Sequence, residues 1–399
     1  MRTRFTWILG IATLILMGVV ACSTKYSSSS NGLIVVSTQG NAVMDTFSLD
    51  LGNGHVSEIN NADGPPTNGV PTSTVLDPSG THAYILITQS STVNSSATGV
   101  EMFPVASDGK LGSGTTTKLN GGVSPAAMVI DSAGKFLFVA DSAPGAISVL
   151  AIGSSGSLTE VAGSPFLLPA QPGGTTPSAS ALAITQTVYP PAYAVCSGNV
   201  PPTTENLYVT DSVNYMVLNY PVSSTGALSS APASSNPTAV VPSGVTVDPC
   251  NRFVYVANST SNNVSAFTIC NAVSLPTCPR ADYSLLAVSG SPFPAGDTPG
   301  PLLEDAFGNY LYVLDQGQNA ISAFKISSTT GSLTAQTPAT VATNSFPTSI
   351  AVRSDNSWMF VTNLNSANLS QYAITPSSGQ LTPQSAVQTD NNPWGVAVK

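Results

Sequence analysis

Three features of the chain predict an all-β fold, a seven-bladed β-propeller with four-stranded antiparallel blades. A short strand pair recurs seven times, a proline opens six inner strands at one fixed offset, and a final strand has nothing after it to pair with. The recurring strands are Leu33–Val36, Ala83–Leu86, Phe136–Val139, Asn206–Val209, Phe253–Val256, Tyr310–Val313 and Trp358–Val361. Five of them run on through one residue to Asp141, Asp211, Asn258, Asp315 or Asn363, which are expected to start the following loop. Each is followed by a third strand: Val43–Leu49, Val100–Val105, Ile147–Ile152, Tyr215–Val222, Val264–Ile269, Ile321–Ile326 and Leu369–Ile374. A Gly-x-Leu step, as at Gly156–Leu158 and Gly331–Leu333, then supplies a tight turn into an outer fourth strand.

Ahead of each pair lies an inner strand. Pro71, Pro125, Pro242, Pro299, Pro347 and Pro393 stand six residues before Asp77, Asp131, Asp248, Asp305, Arg353 and Lys399. The residues between are small or β-branched, as expected where sheets converge on a narrow axis. The first pair lacks an inner strand of its own, and Trp394–Val398 at the other end lacks a pair. The simplest closure places that C-terminal strand in the N-terminal blade, which removes the exposed edges of an open array. An open β-solenoid would need no such borrowed strand, and two β-sandwiches need not repeat at this period. The alternation has period two throughout, and 33 Gly and 31 Pro disfavour long helices.

The N-terminus reads as a targeting segment. Arg2 and Arg4 precede an uncharged stretch from Phe5 to Ala21, short for a membrane span and suited to a signal peptide. It ends in Val19-Val20-Ala21-Cys22, which resembles a bacterial lipobox and implies cleavage before a lipidated Cys22. The expected organisation is a signal peptide over 1–21, a lipidated tether over 22–32 and the propeller over 33–399. Ser23, rather than Asp, favours the outer membrane by resemblance to lipoprotein sorting, so a periplasmic or external, membrane-anchored location is expected.

Charged residues make up only 8% of the chain, while hydrophobic residues make up 42%, which argues against disorder. Without Arg2 and Arg4, 9 basic residues face 20 acidic ones, a formal charge of −11. That balance argues against nucleic acid and gives no help with anionic lipid head groups. The lipid on Cys22 would hold the protein at the membrane. A monomer without cofactor is expected.

Four cysteines remain, and in an exported protein they are expected as disulfides. Cys196 and Cys250 fall in neighbouring inner turns of the fourth and fifth blades, and Cys270 and Cys278 flank one short loop. The pairs expected are therefore Cys196–Cys250 and Cys270–Cys278. Close Cys-x2-Cys pairs are missing, so no zinc or other metal site is expected.

The loops entering the inner strands are rich in Pro and Gly and could frame a rigid binding surface for a carbohydrate, a lactone or a protein. Asp63, Asp297, Asp390 and Trp394 are the candidate rim residues, and Glu304 and Arg353 the weak catalytic candidates. The bland reading of each is a solvated rim. The recurrent Asp77, Asp131, Asp248 and Asp305 are expected to accept backbone N–H bonds within their turns. His55 and His82, the two histidines, fall away from the axial face. Neither a nucleophile elbow nor a phosphate or dinucleotide fingerprint occurs in a suitable setting.

Phe253-Val254-Tyr255-Val256-Ala257-Asn258, followed by Asn263-Val264-Ser265-Ala266-Phe267, resembles the seven-bladed lactonase family, best known for 6-phosphogluconolactonase. Leu207–Asp211 and Phe360–Asn363 also resemble YVTN repeats. The likeness spans roughly residues 33–399. It implies the propeller and, as an activity, hydrolysis of a sugar lactone. The family's Gly-x-x-Pro-Arg-His type of motif is not matched: the corresponding positions hold Pro125-Ala126-Ala127, Pro242-Ser243-Gly244 and Pro347-Thr348-Ser349. Two readings follow, a membrane-anchored binding or scaffold module and a lactonase-like hydrolase. An enzyme should show converging Asp, Glu or Arg in a concave axial pocket, for instance Glu304 near Arg353. A pocket lined by Ser, Thr and backbone would count against it.

Overall fold

In a computed structural model, residues 32–59, 64–89, 98–121, 124–170, 175–187, 196, 204–271, 278 and 281–399 are described. Cys22 and Asp63 lie outside them. Seven antiparallel sheets follow one another in chain order, each built from four successive strands, with a short extra strand on the outer edge of three. The inner strands are Val70–Leu76, Pro125–Ile130, Ala179–Ile184, Pro242–Val247, Pro299–Glu304, Pro347–Val352 and Pro393–Val398. Gly32–Thr38 takes the last of these as its inner neighbour, with Ile34 opposite Val398 and Val36 opposite Val396, so the first blade is completed by the end of the chain. We number that blade one, and the others follow in sequence. Helix among the described residues is limited to short turns such as Leu364–Ser366, and no helix is long and apolar enough to cross a membrane.

The second strand is the most buried of each blade. Leu207–Val209 and Leu311–Val313 are fully covered, because their two faces pack against both neighbouring blades. Between blades three and four, Phe138 and Val149 meet Leu182, Val209 and Tyr220, and equivalent clusters fill the other clefts. Several buried tyrosine hydroxyls find partners across these clefts. Tyr84, Tyr255 and Tyr312 donate to the carbonyls of Gly156, Gly331 and Gly379 in the next blade at 3.2, 3.0 and 2.7 Å. Those glycines are the Gly-x-Leu glycines. At Gly331 φ is +72°, and a Cβ would meet the Phe253 ring, so both the turn and the packing demand glycine there.

The turns from inner to second strand share one construction. Asp77, Asp131, Asp248 and Asp305 each accept backbone N–H bonds four and five residues on, or from the turn itself. Asp131 Oδ1 takes Lys135 and Phe136 at 2.6 and 2.8 Å, and Asp305 Oδ1 takes Asn309 and Tyr310 at the same distances. Asp248 also pairs with Arg252, whose Nε lies 3.0 Å away. Two disulfides, Cys196–Cys250 and Cys270–Cys278, match the expected pairs.

Candidate functional site: the axial cavity

The inner strands run from the loop face, where each blade is entered, to the turn face that carries the aspartate turns. Near the loop face they surround a cavity of about 360 Å³, a volume suited to a small ligand. Its ring is formed by the residue after each opening position: Trp394, Thr72, Ala126, Ser180, Ser243, Gly300 and Thr348. At these positions the pairing register shifts, as between Pro242 and Gly244 or Pro347 and Ser349, so one residue bulges out of the ladder towards the axis.

Three of these bulges also tie their blade to the next. Ser180 and Ser243 hydroxyls donate to the carbonyls of Pro242 and Pro299, both at 2.8 Å, and Thr348 reaches that of Pro393 at 3.2 Å. Gly300 has no side chain to give, and Gln316 from the following loop donates to Pro347 instead at 3.0 Å. In blade one the ring position is Trp394, and Gln39, the counterpart of Gln316, donates to Pro71 at 2.9 Å. Among the described residues lining the cavity none is charged.

The rim above the cavity is rigidly held. Val241, Thr298, Phe346 and Asn392, each directly before an inner-strand proline, have φ between +53° and +58°. For β-branched Val241 and Thr298 this is an uncommon and strained conformation, disfavoured further by the proline that follows. Side-chain bonds fix it: Asn262 accepts the Thr298 N–H at 3.0 Å and Asn319 accepts that of Phe346 at 2.7 Å. Carboxylates also fix the loops entering blades four and six. Asp211 and Asp315 take the N–H groups of Ser178 and Gly296 at 3.0 and 3.1 Å.

Blades one and two do the same from the third strand. Asp45 accepts the Asp390 N–H at 3.0 Å, and Glu101 accepts that of Asn68 at 2.9 Å. In blades three and six the matching residue is a serine, Ser148 or Ser322, bonded to the aspartate ending strand two. Burial, with Asp390 beside it, raises Asp45 to about 7. Sequence reading passed over Asp45 and Glu101, although their departure from the serine repeat was a readable signal.

The sequence candidates separate. Trp394 lines the cavity, half-buried. Asp390 and Asp297 stand on the loop-face rim, Asp297 accepting from Thr298 at 3.3 Å. Glu304 and Arg353 are not on that rim. Glu304 ends its inner strand at the opposite face, and Arg353 begins the turn there. They are also not paired. Arg353 bonds Asp355 at 3.2 Å, while Glu304 is buried against blade five without a hydrogen-bond partner, near Asp248 and Arg252. Burial, then the Asp248 charge, pushes the Glu304 carboxyl well above its usual range despite the opposing Arg252. The reason for the misplacement is strand length: six residues carry the chain from one face to the other. His82 holds Asp77 at 3.0 Å in its turn, and no group of three or more His, Cys, Asp or Glu among the described residues could hold a metal.

The profile of the family described as "Lactonase, 7-bladed beta-propeller" matches residues 33–167 and 288–398. The chain belongs to this family. No curated protein is similar enough to count as a relative. Among solved structures, the chain is similar to a Bacteroides fragilis protein provisionally named a 6-phosphogluconolactonase. The TM-score is 0.71 at 16% identity, over 94% of this chain and 99% of that one. It is likewise similar to the periplasmic gluconolactonase of Pseudomonas aeruginosa, with TM-score 0.69 and 18% identity over 92% and 98%. At such identities these likenesses speak for the fold.

Proposed function

We propose that the protein acts on a sugar lactone in the axial cavity, a lactonase-like role exercised from the cell envelope. The observation that carries this reading is where the family match falls. Its two segments supply Thr72, Ala126, Gly300, Thr348 and Trp394, five of the seven ring residues. Both solved relatives named above bear lactonase names. Ring opening needs a water activated by a base and a carbonyl held in place. The cavity residues can position the ring. The lining is uncharged, so the base must come from outside it.

A second reading, a receptor that binds the sugar without opening it, is favoured by the uncharged lining of the cavity. Acid release from glucono-1,5-lactone, measured above the spontaneous rate, separates the two. Saturable turnover that falls in Trp394→Ala supports the enzyme. Saturable binding without turnover supports the receptor, and turnover that depends on Glu304 but not Trp394 moves the site to the turn face.

The envelope location is part of the proposal. Its support is the basic start at Arg2 and Arg4, the uncharged stretch to Ala21 and the lipobox-like Val19–Cys22. Labelled palmitate incorporated by the wild type and lost in Cys22→Ser is the expected result; equal labelling would remove the anchor.

A further inference from the structure

Resting on the sugar-lactone reading, we infer that the axial cavity takes the uncharged ring and rejects its phosphorylated form, with Trp394 setting that choice. A phosphate group carries close to two negative charges and three strong acceptor oxygens, so a site that buries it must supply cations or free N–H and O–H donors. The lining contains no Lys, Arg or His. The hydroxyl donors of three ring residues are already committed. A serine or threonine hydroxyl has one proton, and those of Ser180, Ser243 and Thr348 have inner-strand proline carbonyls as acceptors. Gln316 directs an amide N–H to Pro347 in the same way.

What those three hydroxyls turn to the axis is therefore acceptor oxygen. Acceptors suit the hydroxyls of a sugar, which can donate, and repel phosphate oxygens, which cannot. Trp394 acts in the same direction. It is the one aromatic residue of the ring, and the negative face of an indole favours C–H groups and cations over anions. A pyranose or lactone ring offers such a C–H face.

The surroundings add to the exclusion. Three cations on the turn face are engaged with partners: Arg252 with Asp248, Arg353 with Asp355, and Lys399 with the Ser79 carbonyl. The loop-face rim carries Asp297 and Asp390. An approaching phosphate meets like charge before it meets the cavity.

The test is titration calorimetry of the protein, expressed from its full sequence, with glucono-1,5-lactone and with its 6-phosphate, each freshly dissolved. The neutral lactone should bind at least about 100-fold more tightly, a gap of two tenfold steps in affinity. Trp394→Ala should lower neutral binding about tenfold, on the scale of one aromatic stacking contact, and Trp394→Phe should restore part of it. Ser180→Lys, which adds a cation to the wall, should raise affinity for the phosphorylated ring. Equal or tighter binding of the 6-phosphate overturns the inference and leaves the lactone reading in place. Neutral binding indifferent to Trp394→Ala also overturns it. If neither lactone binds, the proposed function falls and this inference with it.

Discussion

The two ends of the inner strands differ in how far they repeat. At the turn face, Asp77, Asp131, Asp248 and Asp305 occupy one position and make the same kind of bond to the backbone of their own turns. At the loop face, the corresponding ring reads Trp394, Thr72, Ala126, Ser180, Ser243, Gly300 and Thr348. For Trp394 and Gly300, Gln39 and Gln316 make the tie from a neighbouring loop. A blade needs its turn built the same way each time, so selection for stability yields repetition. Recognition needs an asymmetric cavity, and the positions that leave the repeat are where that asymmetry resides.

The comparison can be broken most sharply at Asp248. Asp248→Ala leaves Arg252 without its partner in a mostly buried turn and should cost about 3–5 kcal/mol in urea unfolding. Lactone binding by the protein that remains folded should be unchanged. A large loss of affinity at full stability would instead make the turn face functional.

Opening the Cys196–Cys250 bridge with Cys196→Ser should cost about 2–4 kcal/mol, again without effect on ligand affinity. This bridge lies outside the family-matched segments, so its loss tests a feature particular to this chain.

Protonation bears on both faces: Asp45, Asp141 and Asp315 stand at the loop face and Glu205 beside a turn. Burial raises Asp45 to about 7, Glu205 to about 7, and Asp141 and Asp315 to about 6. Carboxyls raised on folding bind more protons in the native than in the unfolded state between roughly pH 4 and these values. Stability should therefore be fullest at the acid end of that window and decline as pH rises through it to 7. Asp45→Asn should flatten part of that slope, by about 1–2 kcal/mol across the window. A melting temperature that climbs from pH 5 to 7 would contradict it. The smallest structural effect is expected at Trp394. Trp394→Ala, at a half-buried cavity position, should change stability by less than about 1 kcal/mol, which checks that its effect on binding is local.

Much of this architecture was legible because propeller blades write their hydrophobic pattern seven times. The offset from Pro242 to Asp248 located both the inner strand and its turn, and Trp394–Val398 announced the closure. The cysteine pairs followed from which turns are neighbours. The site was legible only in part. Trp394 stands out as an aromatic in a row of small residues, but the bulge that turns it to the axis depends on pairing with strand two. Glu304 and Arg353 look like rim residues when only the loops are considered, and six residues of strand place them at the other face. Asp45 and Glu101 were hidden inside third strands, visible only when those strands are aligned with Ser148 and Ser322.

Saturation-transfer NMR with glucono-1,5-lactone tests the location of the site most directly, comparing the wild type with Ser243→Phe, which fills the cavity wall opposite Trp394 in blade order. The account predicts transfer to the ring protons in the wild type and its loss in Ser243→Phe, with the melting temperatures alike. Equal transfer in both proteins would place the ligand somewhere other than the axial cavity.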